Sequence, residues 1–335
     1  VWIMAYTTID DPSAYFKVQL YTGNDSSRSI TFDDTDTNMQ PDLVWIKGRS
    51  ETVNHVLFDS VRGAQKELNP DLNEREETQA QMVTSFDSDG FGMGTSGGSN
   101  SDTITYVAWC WKESADAGFD IVGYTGNATD RTISHSLSAV PKVILVKRRT
   151  DADSQWAMYH HTLTNNNFLV LNTTGASATT DHWNDTDPTS SVFSINSTGD
   201  EVNVNTSTYI AYLWAEKQGF SKFGSYTGNG NADGTFVYTG FRPAWVMVKK
   251  SSGTNAWLIH DVKRSTLNPM DNQLFASTNG AEDTTSTNNN FDFLSNGFKA
   301  RNTGDAYNGS SGTYIYMAFA EAPFVNSNGV PCNAR

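Results

Sequence analysis

Apolar positions in this chain fall in short unbroken runs, set apart by stretches rich in Ser, Thr, Asn, Asp and Gly. Three runs stand out: Leu43-Val44-Trp45-Ile46, Val143-Ile144-Leu145-Val146 and Trp245-Val246-Met247-Val248. They do not alternate with polar residues. Bounded by turn residues, such runs predict strands buried on both faces or covered by a neighbouring unit. Pro41, Pro141 and Pro243 lie just before them, where a missing N–H does least harm to a sheet. The intervening polar residues are turn formers for stereochemical reasons, and Lys and Glu are sparse. One charged stretch, residues 59–77, reads as a loop with a helical turn, the segment 72–81 having room for one or two turns. The rest predicts an all-β chain.

The runs belong to a repeat. Tyr-Thr-Gly-Asn occurs at Tyr21, Tyr124 and Tyr226, with Gly23, Gly126 and Gly228 as its glycines, at spacings of 103 and 102 residues. Phe16, Phe119 and Phe220 precede it. Each Pro-led run ends six residues after its proline, on Lys47, Lys147 or Lys249, with Trp45 and Trp245 inside two of them. A second strand follows, starting at His55, Trp156 and Trp257. Phe86 to Phe91 matches Phe291 to Phe298 with two residues inserted, and the middle copy is degenerate around Phe193 to Val202. Each copy closes on an aromatic strand starting at Tyr106, Tyr209 or Tyr314. A period near 100 residues is too long for a solenoid and suits a β-sandwich. The predicted architecture is three tandem β-sandwich modules of jelly-roll or concanavalin-like type: a lead-in at 1–13, modules at 14–114, 115–217 and 218–324, and a tail at 325–335. The linkers near 115 and 218 are short, so the modules should be packed together. Met4 reads as a natural initiator, with Val1 to Ile3 upstream of it.

These motifs resemble a module of unknown function that recurs in proteins of tailed phages, especially marine ones. Its hallmarks are Tyr-Thr-Gly-Asn-Gly, Pro-Asp-x-Val-Trp-Ile-Lys, an Asp-Ser-Val-Arg-Gly turn, Phe-x-Ser-Asp-Gly-Phe and Tyr-Val-Ala-Trp-x-Trp-Lys. The first copy carries nearly all of them, departing at Asp25 where Gly is usual. The third has Gly230 there but keeps only Arg264 of the Arg-Gly turn, and the second has lost that turn. The resemblance implies a virion protein assembled in the host cytoplasm: a tail fibre, another appendage or a head decoration that touches the host surface. Its partners would be copies of itself, other virion proteins and a surface glycan. It implies no catalytic residues. A carbohydrate-binding adhesin and a polysaccharide depolymerase are the alternatives.

Charge and composition narrow the classes. Aromatics make up 12 % against 37 % hydrophobic residues overall, which fits thin cores filled by large rings and not disorder. A net charge of −14 disfavours nucleic acid and anionic membrane surfaces. There is no transmembrane run. Cys110 and Cys332 read as free thiols, since a stapled scaffold carries more cysteines. No catalytic constellation, cofactor site or metal motif emerges. The acidic loop 33–38 fails the EF-hand pattern, which leaves a solvated loop or an irregular calcium site. His160-His161 should point to opposite faces of a strand, and His160 and His260-Asp261 fall at matching packing positions. Tyr-Thr-Gly-Asn reads as a strand end whose Gly supplies a positive φ, and Gly94 to Gly98 as a flexible outward loop. The repeated tryptophans are expected in the core. Trp183, in the loop Asp181-His182-Trp183, is the candidate exposed ligand contact, with His182 and Asp181 beside it.

Overall fold

The computed structural model describes residues 6–34, 37–285, 288 and 290–332; Val1 to Ile3, Met4, Asp36 and the last three residues lie outside these. The chain is nearly all β, and its sheets are antiparallel. In the first repeat the main sheet runs, in spatial order, Phe16–Thr22, Thr105–Trp111, Leu43–Gly48 and Val56–Asp59. The second repeats this order with Phe119–Thr125, Thr208–Ala215, Pro141–Arg148 and Ala157–His160. The third does so with Ser221–Thr227, Thr313–Pro323, Phe241–Lys250 and Leu258–Asp261. Register is shared too: Tyr21 faces Tyr106, Tyr124 faces Tyr209, and Tyr226 faces Tyr314.

A smaller sheet accompanies each. It is Arg28–Thr31, Gly90–Met93 and Val83–Asp87 in the first repeat, and Phe236–Tyr238, Gly297–Ala300 and Phe291–Leu294 in the third. The degenerate middle repeat has two strands, Arg131–Ser134 and Val192–Ile195.

The unbroken apolar runs now have their reason. In Leu43–Gly48, Val44 and Ile46 face the small sheet, packing with Ile30, Phe91 and Met93, while Leu43 and Trp45 face the opposite way. In Thr105–Trp111 the split is Tyr106, Ala108 and Cys110 against Val107, Trp109 and Trp111. The second repeat divides in the same way. The second face of each main sheet meets those of the other two in one shared core. There Trp45, Leu145 and Met247 are equivalent, as are Trp111, Trp214 and Phe319. Rings from different repeats touch: Trp111 lies 5.8 Å from Trp245 and 6.4 Å from Trp214, and Phe16 lies 5.2 Å from Phe319. This core encloses a cavity of about 10 Å³ lined by apolar and aromatic side chains, at the lower limit for one water and without polar partners to hold it.

Two local expectations are corrected. The stretch 59–77 has a single helical turn, at its start, where the Gly63 N–H donates to the Asp59 carbonyl at 3.0 Å, and the segment 72–81 forms no helix; the rest is an arm pinned by the strand pair Lys66–Glu67 with Glu77–Thr78 and by the mutual backbone hydrogen bonds of Leu57 and Leu68. Gly97, by contrast, opens a one-turn helix, Gly97–Asn100, capped by Ser96. Its end is buried because the Asn100 amide donates to the carbonyls of Gly94 (2.8 Å) and Ser26 (2.9 Å).

Candidate functional site

The predicted contact at Asp181, His182 and Trp183 does not exist as an exposed site. Trp183 is 2 % exposed, packed edge-on against Tyr159 at 5.8 Å within the core of the second repeat. That core has one small-sheet strand fewer than the others, and the indole occupies the space. His182 lies edge-on to Phe168 at 4.7 Å, and burial holds its pKa below the ordinary histidine value. Asp181 is exposed and accepts a hydrogen bond from Thr198 Oγ1 at 2.9 Å.

Gly23, Gly126 and Gly228 are required for a different reason than expected. None has a positive φ. Instead, a Cβ on Gly23 would lie 1.9 Å from the Ser101 carbonyl oxygen, one on Gly126 2.1 Å from that of Val204, and one on Gly228 2.4 Å from that of Gly309. A landmark the sequence reading missed sits beside them: Asn100, Asn203 and Asn308 are buried, and each side-chain oxygen accepts the backbone N–H of Asn24, Asn127 or Asn229. The preceding tyrosines stack on Tyr106, Tyr209 and Tyr314 with centroids 5.1, 5.0 and 5.1 Å apart. The motif is a structural clasp.

The chemistry-bearing side chains gather at the seams between repeats. Each repeat sends an arm, residues 60–78, 161–179 and 262–283, onto the next, and the third reaches back to the first. A ring nitrogen marks every seam: Trp156 Nε1 donates to the Asn69 carbonyl at 2.8 Å, Trp257 Nε1 to that of Val170 at 3.0 Å, and His55 Nε2 to that of Phe275 at 3.1 Å. Trp45 Nε1 donates to His55 Nδ1 at 2.9 Å, which fixes the neutral Nε2–H tautomer. Burial agrees, holding the His55 pKa down at about 3.

Two seams also carry a chain of four alternating charges. Asp59 pairs with Arg62 and accepts from Tyr212 Oη at 2.6 Å; Arg62 reaches Glu76 at 3.2 Å; Arg149 of the second repeat holds Glu76 at 2.8 Å. Asp261 pairs with Arg264 and accepts from Trp109 Nε1 at 2.9 Å; Arg264 reaches Glu282 at 3.0 Å; Arg49 of the first repeat holds Glu282 at 2.7 Å. Burial opposes the charge on Glu76, but Arg149 and Arg62 outweigh it and hold its pKa below the carboxylate value. At the third seam the same four positions are His160, Leu163, Ser177 and Ser251. His160 thus stands with Asp59 and Asp261, not with His260, whose counterparts are Phe58 and Tyr159. His160 is the last residue of its strand, so His161 is not on the strand's other face; their rings stack at 5.3 Å and both reach carbonyls of the third repeat. The signal for the charge chains was present in the sequence as Asp-x-x-Arg at Asp59 and Asp261.

Lys47, Lys147 and Lys249 are fully buried, and burial lowers each pKa to about 8. Such an amine could serve as a nucleophile. Here each Nζ is turned onto backbone carbonyls, of Gly48 (2.7 Å), Ser154 (2.5 Å) and Lys250 (2.6 Å), away from any approach by substrate. In the acidic loop Asp34 pairs with Lys17, and Asp33 with Lys263 at 2.8 Å; Asp36 lies outside the described residues. Among the described residues no group of His, Cys, Asp and Glu could hold a metal ion, no helix is long and apolar enough to cross a membrane, and Cys110 and Cys332 form no disulfide.

No curated protein matches the sequence. A family model, described as a domain of unknown function (DUF7483), matches residues 11–323, so one family unit spans all three repeats and the seams between them. The chain belongs to this DUF7483 family.

Proposed function

We propose that this chain is a non-enzymatic structural protein of a phage particle, built of three tandem β-sandwich modules closed into one rigid body. The observation that carries the reading is where its reactive groups are used. His55, His160, His161 and both charge chains are engaged in holding repeats together, and the buried lysines are turned onto backbone carbonyls, as in a scaffold. The motif resemblance to tailed-phage modules supplies the setting, a tail appendage or head decoration touching the host surface in many copies. Multivalency would multiply a weak contact, because each further contact becomes effectively intramolecular. The role is tested by mass spectrometry of purified particles, by the chain's position in their density and by light scattering of the isolated chain. A monomer absent from particles would overturn it.

A further inference from the structure

Two positions on one small-sheet strand of each repeat face solvent, and only the third repeat fills them with large rings. On the small-sheet strands, Ile30, Ile133 and Val237 are equivalent and face inward, paired with Phe91, Phe193 and Phe298. Their neighbours on either side face solvent. These are Ser29 and Thr31 in the first repeat, Thr132 and Ser134 in the second, and Phe236 and Tyr238 in the third. Folding therefore asks only for small hydroxyl residues there. Phe236 is 43 % exposed and Tyr238 52 % exposed. Two residues apart on one strand face, the rings sit roughly 7 Å from each other.

Tyr238 also forms the wall of a cleft of about 300 Å³ shared with Tyr6, Glu216, Gln218, Ser221 and Lys222. The Tyr6 and Tyr238 hydroxyls are 3.1 Å apart, and Tyr6 is anchored by donating to the Gly240 carbonyl at 2.8 Å. Glu216 and Lys222 are paired at 2.6 Å. The cleft thus presents a carboxylate, an ammonium, an amide and hydroxyls together, with no excess of either charge.

We infer that this face of the third repeat binds a neutral polysaccharide. A pyranose offers an apolar C–H face, which suits the electron-rich face of an aromatic ring, and a rim of hydroxyls that both donate and accept. Two exposed rings on one strand face match consecutive sugars, and the mixed polar cleft beside them matches hydroxyl groups at the end of such a run. A polyanion is disfavoured by the −14 net charge. A protein partner would find rings set beside a polar cleft in place of the apolar centre that protein interfaces use. The inference deepens the surface-contact part of the proposed function and rests on that part only.

The test is affinity electrophoresis of the full chain in gels containing laminarin, dextran, mannan or galactomannan. Retardation by at least one is expected. The double variant Phe236→Ser/Tyr238→Thr, which installs the residues of the first repeat, should weaken it about tenfold or more with an unchanged melting temperature. Glu216→Gln should weaken it without disturbing the rings, and Leu267→Ser, at an apolar residue 77 % exposed elsewhere, should have no effect. Retardation by none of the four polysaccharides, or equal retardation of the double variant, would overturn the inference. Neither result bears on whether the chain is found in particles, which the mass spectrometry decides separately.

Discussion

At the scale of single residues, the repeated glycines and the buried rings decide most. The Cβ of alanine at position 126 would meet a backbone oxygen at 2.1 Å, and backbone cannot swing aside. Gly126→Ala should therefore cost about 1–3 kcal/mol or more, read as a lowered melting temperature; an unchanged one would show that the loop relaxes freely. Trp183→Ala should cost roughly 3–5 kcal/mol, the range for a large core ring, and urea denaturation measures it. The sequence placed Trp45, Trp156, Trp245 and Trp257 correctly because they fall in, or directly before, strands that recur in each repeat. It misplaced Trp183 because a polar loop, Thr-Asp-His-Trp-Asn-Asp, looks solvated by composition. Nothing in that composition tells that the middle repeat is short of a strand and uses the indole in its place. His160 gives a pH test. Its folded pKa is about 3, set by burial, against an ordinary 6.5. Between those values the unfolded chain binds the extra proton, so this group's contribution falls as pH drops below 6.5. From pH 6.5 to 4.5 the wild type should lose roughly 2 kcal/mol more than His160→Gln. Parallel pH profiles of the two would show that His160 is not held neutral.

At the scale of elements, the arms and their charge chains connect the sheets. Removing one member leaves the others buried and unpaired, so Arg264→Leu alone should cost about 3–5 kcal/mol. The third seam shows that the position tolerates another solution when all four members change at once. The set Asp261→His, Arg264→Leu, Glu282→Ser and Arg49→Ser should cost clearly less than the sum of its four single changes, a coupling that a mutant cycle reads directly. Additive losses would mean that the members act independently. Strands were legible in the sequence because apolar runs, prolines and closing aromatics repeat in order. The arms were not. Their backbone is held by short two-residue pairings and by long-range hydrogen bonds that leave no period to read, and a charged segment without tertiary partners imitates a helix.

At the scale of the whole molecule, the three main sheets hide one another's second faces. The buried Pro-led strands are therefore accounted for within a single chain and need no second copy to cover them. With a shared core and three closed seams, unfolding should be one cooperative event. Calorimetry should show a single transition whose van't Hoff and calorimetric enthalpies agree; separate transitions for separate repeats would contradict the common core. Deleting residues 14–114 should leave an aggregating product, because it uncovers the second faces of both remaining sheets. That the repeats touch was foreseeable from their short linkers. That they close into a ring was not, since closure depends on the third arm returning over more than two hundred residues to Arg49.

The Ser327 N–H donates to the Asp10 carboxylate at 2.7 Å, which brings the two ends of the ring side by side, and Thr7 Oγ1 donates to the Gln218 carbonyl at 2.8 Å near the last junction. Chain order is thus nearly irrelevant to the finished body. Joining residue 327 to residue 10 through a short Gly-Ser tether and cutting open the turn at Ala115 would give a permuted protein that begins with the second repeat and ends with the first, with every seam remade. Such a permutant would carry its ends at the junction of the first and second repeats, a convenient handle for fusing the molecule to a surface in a chosen orientation.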